Sequence, residues 1–159
     1  MGRSGLNLIN VGPISGATGY AEINRSLILE LYRMGVNIKL KPKALGVSHV
    51  ELEPEIRSLF EGMVLNSSFE RAPVLFTYIA EFFEKSPQDY TIGLTMLECD
   101  RIPARWVGKC NAMDEVWVPT QFNVETFRRA GVRVPLYVVP QGVDTKFFRP
   151  GLPALPIPD

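Results

Sequence analysis

The chain has 159 residues, the size of one ordinary domain, which is enough to bury about 70% of the surface that the unfolded form exposes. Lysine plus arginine and aspartate plus glutamate both number 17, so the formal net charge is zero. This balance argues against a nucleic-acid-binding protein, which needs a concentrated basic face to release counterions from phosphates, and favours a neutral or nucleotide-sized partner.

A strand, a glycine turn, a helix and a second strand are predicted at the start of the chain. The apolar run over residues 6–11 is short enough for a strand, and three glycines follow it within residues 12–19. Apolar residues then recur at helical spacing until Gly35, namely Ile23, Leu27, Ile28, Leu31 and Met34. Over residues 36–41 apolar and polar residues alternate, which is typical of a strand near the edge of a sheet.

The rest of the chain alternates between strand and helix patterns. Helices are predicted over residues 54–61, 103–113 and 121–130, the first ended by Gly62 and the last by Gly131. Strands are predicted over residues 74–80, 90–97, 115–119 and 136–140. The first two of these strands are continuous apolar runs, which suit central parallel strands covered on both faces. The sequence therefore predicts the α/β fold class, with a Rossmann-like open, mainly parallel sheet and helices on both faces.

The end of the chain differs in composition from the rest. Four prolines among the ten residues from Pro150 prevent regular structure and predict a semi-rigid linker over residues 150–159. A linker implies a further domain, so we expect one Rossmann-like domain over residues 1–149 and a connection to a second domain.

Composition also bears on compartment and thiol chemistry. The N-terminus lacks the apolar run of a signal peptide, and no 18 consecutive apolar residues occur, so we expect a soluble, cytoplasmic protein. Cys99 and Cys110 are too few and too poorly spaced for a zinc knuckle or a disulfide framework, and we expect two reduced, mostly buried thiols. His49 is the only histidine, and a solvated loop residue is its favoured interpretation over a general base.

The glycine turn after the first strand is a candidate anion site. In an open parallel sheet, ligands bind outside the carboxyl ends of the strands, and glycines let backbone N–H groups approach an anion beside a helix N-terminus. The spacing of Gly12, Gly16 and Gly19 matches neither the dinucleotide fingerprint nor the triphosphate-binding loop. A dinucleotide-dependent oxidoreductase is therefore disfavoured, and a tight turn without a ligand is the alternative interpretation.

Polar side chains that follow other predicted strands should reach the same edge of the sheet. They are Glu98, Asp100, Arg101, Gln121, Gln141 and Asp144. Carboxylates, a guanidinium and amides suit hydrogen bonding to a polyhydroxyl ligand such as a sugar. Helix capping is the alternative role for Asp100 and the favoured role for Thr120. Four aromatic residues are expected to pack in the core rather than stack on a sugar, namely Trp106, Trp117, Phe122 and Phe127.

The run YVVPQGVDTKFFRPG, residues 137–151, resembles the segment that closes the N-terminal domain of family-four glycosyltransferases of the GT-B fold. The stretches GPISGATGYAEINRSL and TMLECDRIPARWVGKCNAMDEVWVPTQFNVETFRRAGV look like the same enzymes, so the resemblance covers nearly the whole chain. It implies two facing Rossmann-like domains, of which the N-terminal one binds mainly the acceptor and the C-terminal one mainly the nucleotide sugar. It further implies transfer of a hexose with retention at the anomeric carbon and without a metal or other cofactor.

The resemblance also implies roles for particular residues, although no catalytic residue is assigned. Backbone N–H groups of Gly16, Ala17, Thr18 and Gly19 would bind the diphosphate of the donor. Glu98, Asp100 and Arg101 would lie on the acceptor side, and Gln141, Gly142 and Asp144 would lie near the hinge of the cleft.

The partners follow from the same resemblance. They are a nucleotide sugar, a glycan or small-molecule acceptor, and a donor-binding domain or partner chain that would begin where this sequence ends. We therefore expect this chain alone to be inactive. The alternative is a non-catalytic ligand-binding or interaction module with the same Rossmann-like fold.

Overall fold

The computed structural model describes residues 5–46 and 50–151, and these form one six-stranded sheet in which every pair of neighbouring strands is parallel. The strands are β1 Asn7–Gly12, β2 Asn37–Pro42, β3 Val74–Thr77, β4 Thr91–Leu94, β5 Glu115–Val118 and β6 Leu136–Val138. Their order across the sheet is β2-β1-β3-β4-β5-β6. The predicted α/β fold class, a Rossmann-like open parallel sheet, is confirmed.

Helices connect most of these strands. They are α1 Gly19–Arg33, α2 Pro54–Val64, α3 Ala104–Asn111 and α4 Gln121–Ala130, and a short 3₁₀ turn follows β3 at Ala80–Phe82. Thr120 caps α4 as predicted, because its hydroxyl accepts the N–H of Asn123 at 3.2 Å. Gly131 ends α4 with a φ of 104°, a left-handed conformation that favours glycine.

The predicted end of α2 is wrong. The helix continues to Val64, so Gly62 lies inside it rather than after it. Glycine inside a helix costs about 1 kcal/mol relative to alanine. Beyond it, however, Met63 is buried with Phe60 in one apolar cluster beside Ile38 of β2, and this burial favours continuing the helix.

Apolar side chains cover both faces of the sheet, as predicted. One cluster includes Val74 and Phe76 of β3, Trp106 of α3 and Phe127 of α4. Leu75, which lies between Val74 and Phe76 in the strand, belongs to a separate cluster with Leu27 of α1 packed against it. Since neighbouring residues of a strand point to opposite faces, α1 packs on one face and α3 and α4 pack on the other.

Two predictions of burial are wrong in part. Trp106 and Phe127 are buried and Trp117 is partly buried, but Phe122 is exposed because it lies in the first turn of α4, one position before the buried Asn123. Both cysteines are free thiols, yet only Cys110 is buried; Cys99 is exposed because it lies in the loop after β4.

Some predictions concern residues outside the described ranges, namely His49 and most of the predicted linker, residues 152–159. Within those ranges, no helix combines the length and the apolarity needed to cross a bilayer.

Candidate functional site

The glycine bend, residues 12–19, joins β1 to α1 where the strand order reverses. β1 lies between β2 and β3, so the chain leaves β1 toward one edge of the sheet and later returns on the other side. In open α/β sheets the ligand crevice lies at this reversal, outside the carboxyl ends of the strands. The glycine bend therefore occupies the position at which this fold class binds ligands.

Steric contact explains why residue 12 is glycine. A Cβ atom on Gly12 would lie 2.7 Å from the carbonyl oxygen of Thr77 and 2.8 Å from Nδ2 of Asn24. Both are far inside normal contact distance, so β1, β3 and α1 can approach this closely only if Gly12 has no side chain. A Cβ atom on Gly19 would meet nothing within 4 Å, so packing does not require glycine there.

The backbone carbonyl groups of the bend accept hydrogen bonds from other parts of the protein. Backbone N–H groups supply two of the hydrogen bonds: Lys43 donates to the oxygen of Gly12 at 2.9 Å, and Val50 donates to the oxygen of Ser15 at 2.8 Å. These bonds connect the bend to the segment that follows β2.

Two side chains of α1 supply the other donors. Asn24 Nδ2 donates to the oxygen of Pro13 at 3.1 Å. Arg25 Nη1 donates to the oxygens of Ile14 at 3.0 Å and Gly16 at 2.9 Å. Together with the two backbone donors, they give all five consecutive carbonyl groups from residue 12 to residue 16 a donor from the protein.

Asn24 also belongs to a buried amide cluster beneath the bend. Asn24 and Asn10 are 0% and 1% exposed, and their amide groups exchange hydrogen bonds of 2.9 and 3.1 Å. Asn10 Nδ2 also lies 3.4 Å from the hydroxyl oxygen of Thr77. This cluster was not predicted, although an asparagine inside an apolar strand is a usable signal, because a buried amide needs a partner.

The first turn of α1 offers donors at the end of the bend. Thr18 is the N-cap, and its hydroxyl accepts the N–H of Ala21 at 3.3 Å. The first N–H groups of an α-helix have no acceptor within the helix, and they lie at the positive end of the helix dipole. Gly19 and Tyr20 occupy those positions, so their N–H groups can bind an anion.

Tyr20 connects the bend to the end of β4. Its hydroxyl oxygen lies 3.0 Å from the hydroxyl oxygen of the buried Thr95, donates to the carbonyl oxygen of Met96 at 3.1 Å and accepts the N–H of Met96 at 3.1 Å. Burial raises the pKa of the Tyr20 phenol above its usual value near 10, and the charge of Glu98 adds to this rise. Tyr20 was not among the predicted site residues.

The predicted acceptor-side residues are exposed but do not all line the same groove. Glu98, Asp100 and Arg101 are all exposed. Asp100 and Arg101 line a groove of about 580 Å³ between α3 and α4, together with Thr126 and Arg129, whereas Glu98 is not part of its lining. The capping alternative for Asp100 is wrong, because Pro103 is the N-cap of α3.

The predicted hinge residues differ in what they contact. Gln141 Nε2 donates to Sδ of Met96 at 2.9 Å, so the segment after β6 reaches the segment after β4. Asp144 Oδ1 accepts the N–H groups of Lys146 at 2.8 Å and Phe147 at 3.1 Å, which closes a turn. A Cβ atom on Gly142 would meet nothing within 4 Å.

Asn123 is a further buried polar residue beside the site that was not predicted. It is 3% exposed, and its Nδ2 donates to the carbonyl oxygen of Leu97 at 2.6 Å. Since Leu97 lies directly before Glu98, this bond anchors α4 to the polar segment after β4. In the described part of the chain, no three His, Cys, Asp or Glu side chains lie close enough together to hold a metal ion.

No family model, no curated protein and no solved structure matches this chain. The fold and the site therefore define a class rather than a family: a Rossmann-like α/β domain with a glycine bend and a polar rim at the carboxyl ends of its strands.

Proposed function

We propose that this chain is the N-terminal, acceptor-side domain of a retaining glycosyltransferase, which transfers a sugar from a nucleotide-sugar donor to an acceptor hydroxyl. The observation that carries the proposal is the position of the glycine bend at the strand-order reversal, directly before α1. Both the crevice and the helix N-terminus at this position suit a phosphate group.

The chemical role of the bend follows from the charge that develops during transfer. The leaving group of a nucleotide sugar is a diphosphate, which gains negative charge as the bond to the sugar breaks. In this proposal the N–H groups of residues 16–19 and of Tyr20 would stabilise that charge, and those of Gly19 and Tyr20 are held in place by the first turn of α1. The donor phosphates would bind beside these groups, and the sugar would point toward the segment after β4.

The acceptor would bind along the polar rim beyond Tyr20. Glu98 is exposed and close enough to Tyr20 to raise the pKa of its phenol, and Asp100 and Arg101 line the groove between α3 and α4. Carboxylates accept hydrogen bonds from sugar hydroxyls, and a guanidinium donates to their oxygens. This inventory supports a polyhydroxyl acceptor.

The exposed apolar residues after β6 support a second domain or a partner chain. Phe147 and Phe148 are 71% and 67% exposed, and their rings pack edge to face with centroids 4.9 Å apart. Exposed apolar side chains of this kind are typical of surfaces that bind a partner or a neighbouring domain. Because retaining transfer needs groups from both sides of a closed cleft, the 159-residue chain alone is expected to transfer no sugar.

The experiment is to sequence the native coding region past Asp159 and to assay both the encoded protein and the 159-residue chain. Release of nucleoside diphosphate is measured across a panel of nucleotide sugars, with and without acceptors. The proposal expects a second α/β domain with a glutamate pair at a strand-helix turn, and turnover by the complete protein only. Turnover by the 159-residue chain would contradict the expected inactivity, and a stop codon after Asp159 without a partner chain favours a binding module.

A further inference from the structure

We infer that Arg25 is the positioning residue of the glycine bend: it holds the bend in the form whose outer surface accepts a phosphate group. The inference rests on the proposed function, because it takes the bend to be an anion site. It goes beyond that function by naming the side chain that prepares the site and the way in which it does so.

The burial of Arg25 is the first observation. The residue is 8% exposed, although it lies in an amphipathic surface helix. Its Nη2 pairs with Glu22, whose side chain is 69% exposed, and its Nη1 donates to Ile14 and Gly16. Taking a guanidinium out of water costs free energy. A buried arginine is therefore expected where its hydrogen bonds fix a backbone conformation that an apolar residue could not fix.

The second observation concerns the carbonyl groups that accept hydrogen bonds from Arg25. A backbone carbonyl oxygen that faced the crevice would repel a phosphate oxygen, because both carry negative charge. Arg25 turns the oxygens of Ile14 and Gly16 toward the interior, and other donors occupy the three remaining carbonyl groups of residues 12–16. The bend therefore presents no carbonyl oxygen of these five residues to a ligand.

The charge of Arg25 itself contributes little to the site. Its guanidinium forms a contact ion pair with the Glu22 carboxylate in the first turn of α1, so the pair is close to neutral. The positive potential at this end of α1 is that of the helix dipole. The expected ligand is a phosphate or diphosphate group.

Arg25 is also the residue to test, because a substitution of the neighbouring Asn24 would disturb the buried core as well as the bend. Asn24 occupies the carbonyl of Pro13, but it also bonds to the buried Asn10, and removing it would leave that amide unpaired. Among the described residues, the hydrogen bonds of the Arg25 side chain go to the bend and to Glu22.

The experiment titrates the ¹⁵N-labelled chain with inorganic pyrophosphate and follows the amide signals of Gly19 and Tyr20. The variants are Arg25→Met, which keeps an apolar stem, and Arg25→Lys, which keeps a cation. The matched control is Arg33→Met, because Arg33 lies on the same helix, pairs with Glu30 three residues earlier and is 66% exposed. Affinity should fall by about tenfold or more in Arg25→Met, fall less in Arg25→Lys, and stay within about twofold in the control.

The outcomes separate the inference from the proposed function. If wild type binds pyrophosphate at the bend and folded Arg25→Met binds it equally well, the inference is overturned and the anion site stands. If wild type shows no response at Gly19 or Tyr20, both the inference and the phosphate role of the bend are wrong. Should Arg25→Met fail to fold, Arg25→Gln replaces it, because it loses the charge but keeps one amide donor, and the same two criteria apply.

Discussion

The hydroxyl oxygens of Tyr20 and Thr95 lie 3.0 Å apart, although 75 residues separate them in the chain. Tyr20 belongs to the first turn of α1, directly after the glycine bend, and Thr95 directly follows β4. This contact, with the two bonds between the Tyr20 hydroxyl and the backbone of Met96, joins the segment proposed to bind phosphate to the segment proposed to bind the acceptor. The Tyr20 hydroxyl thus links the first turn of α1 to the segment after β4.

Replacing Tyr20 by phenylalanine should therefore destabilise the protein. The change leaves the hydroxyl of Thr95 and both backbone groups of Met96 without this partner, and Thr95 is 0% exposed. Leaving buried polar groups unpaired costs about 1–3 kcal/mol. The free energy of unfolding, measured by urea denaturation, should fall by that amount.

The control for this prediction is Tyr32→Phe. Tyr32 lies on the same helix but is 49% exposed, so water can replace any bond that its hydroxyl makes. Its removal should change the free energy of unfolding by less than about 0.5 kcal/mol. Equal effects of the two substitutions would show that the Tyr20 contacts do not contribute.

Two glycines of the bend should respond oppositely to alanine. Gly12→Ala places a Cβ atom 2.7 Å from the oxygen of Thr77, which belongs to a central strand and cannot move freely, so we expect a loss of about 1–3 kcal/mol. Gly19→Ala meets no atom within 4 Å, and restricting the unfolded chain should leave stability unchanged or raise it by up to about 1 kcal/mol. Thermal unfolding of both variants is the measurement. A Gly12→Ala variant as stable as wild type would refute the steric explanation.

The succession of strands and helices could be predicted because each element carries its own local signals. β3 and β4 are continuous apolar runs, and Thr120 and Gly131 mark the two ends of α4. The end of α2 was predicted wrongly because the local signal of Gly62 competes with the burial of Met63, which depends on where β2 lies.

The interior of the site could not be predicted in the same way. Asn24 contacts Asn10 and the oxygen of Pro13, and Tyr20 contacts Thr95, so their roles depend on which segments the fold brings together. In the sequence, nothing distinguishes the buried Arg25 from the exposed polar residues of the same amphipathic helix. The position of the candidate site therefore follows from the strand pattern, whereas the contacts beneath it depend on the three-dimensional fold.

The two thiols should differ in reactivity. Cys110 is 0% exposed, and burial raises the pKa of its thiol to about 12, so almost no thiolate exists at pH 8. Cys99 is exposed. A thiol reagent that releases a chromophore should therefore modify one cysteine per folded chain and both in urea, and Cys99→Ser should abolish the reaction of the folded chain. Rapid reaction of two thiols without denaturant would contradict the burial of Cys110.

Asp114, which lies in the loop before β5, should make the free energy of unfolding depend on pH in the acid range. The ammonium of Lys85, followed by the backbone N–H of Thr91, holds the pKa of the Asp114 carboxyl below its usual value near 3.8. A carboxyl whose pKa is lowered by folding stabilises the native state above its unfolded pKa, and this contribution is lost as the pH falls through the folded pKa.

The substitution Asp114→Asn tests this directly, because asparagine has the shape of the protonated carboxyl. At pH 7 the free energy of unfolding should fall by about 1 kcal/mol, since an ion pair and a charge-assisted hydrogen bond are weakened. Below about pH 3.8 the difference from wild type should shrink, because wild-type Asp114 becomes protonated as well. The control is Glu125→Gln on the exposed face of α4, which should alter stability little at either pH. A constant difference between Asp114→Asn and wild type from pH 7 to pH 3 would mean that the carboxylate charge contributes nothing to the folded state.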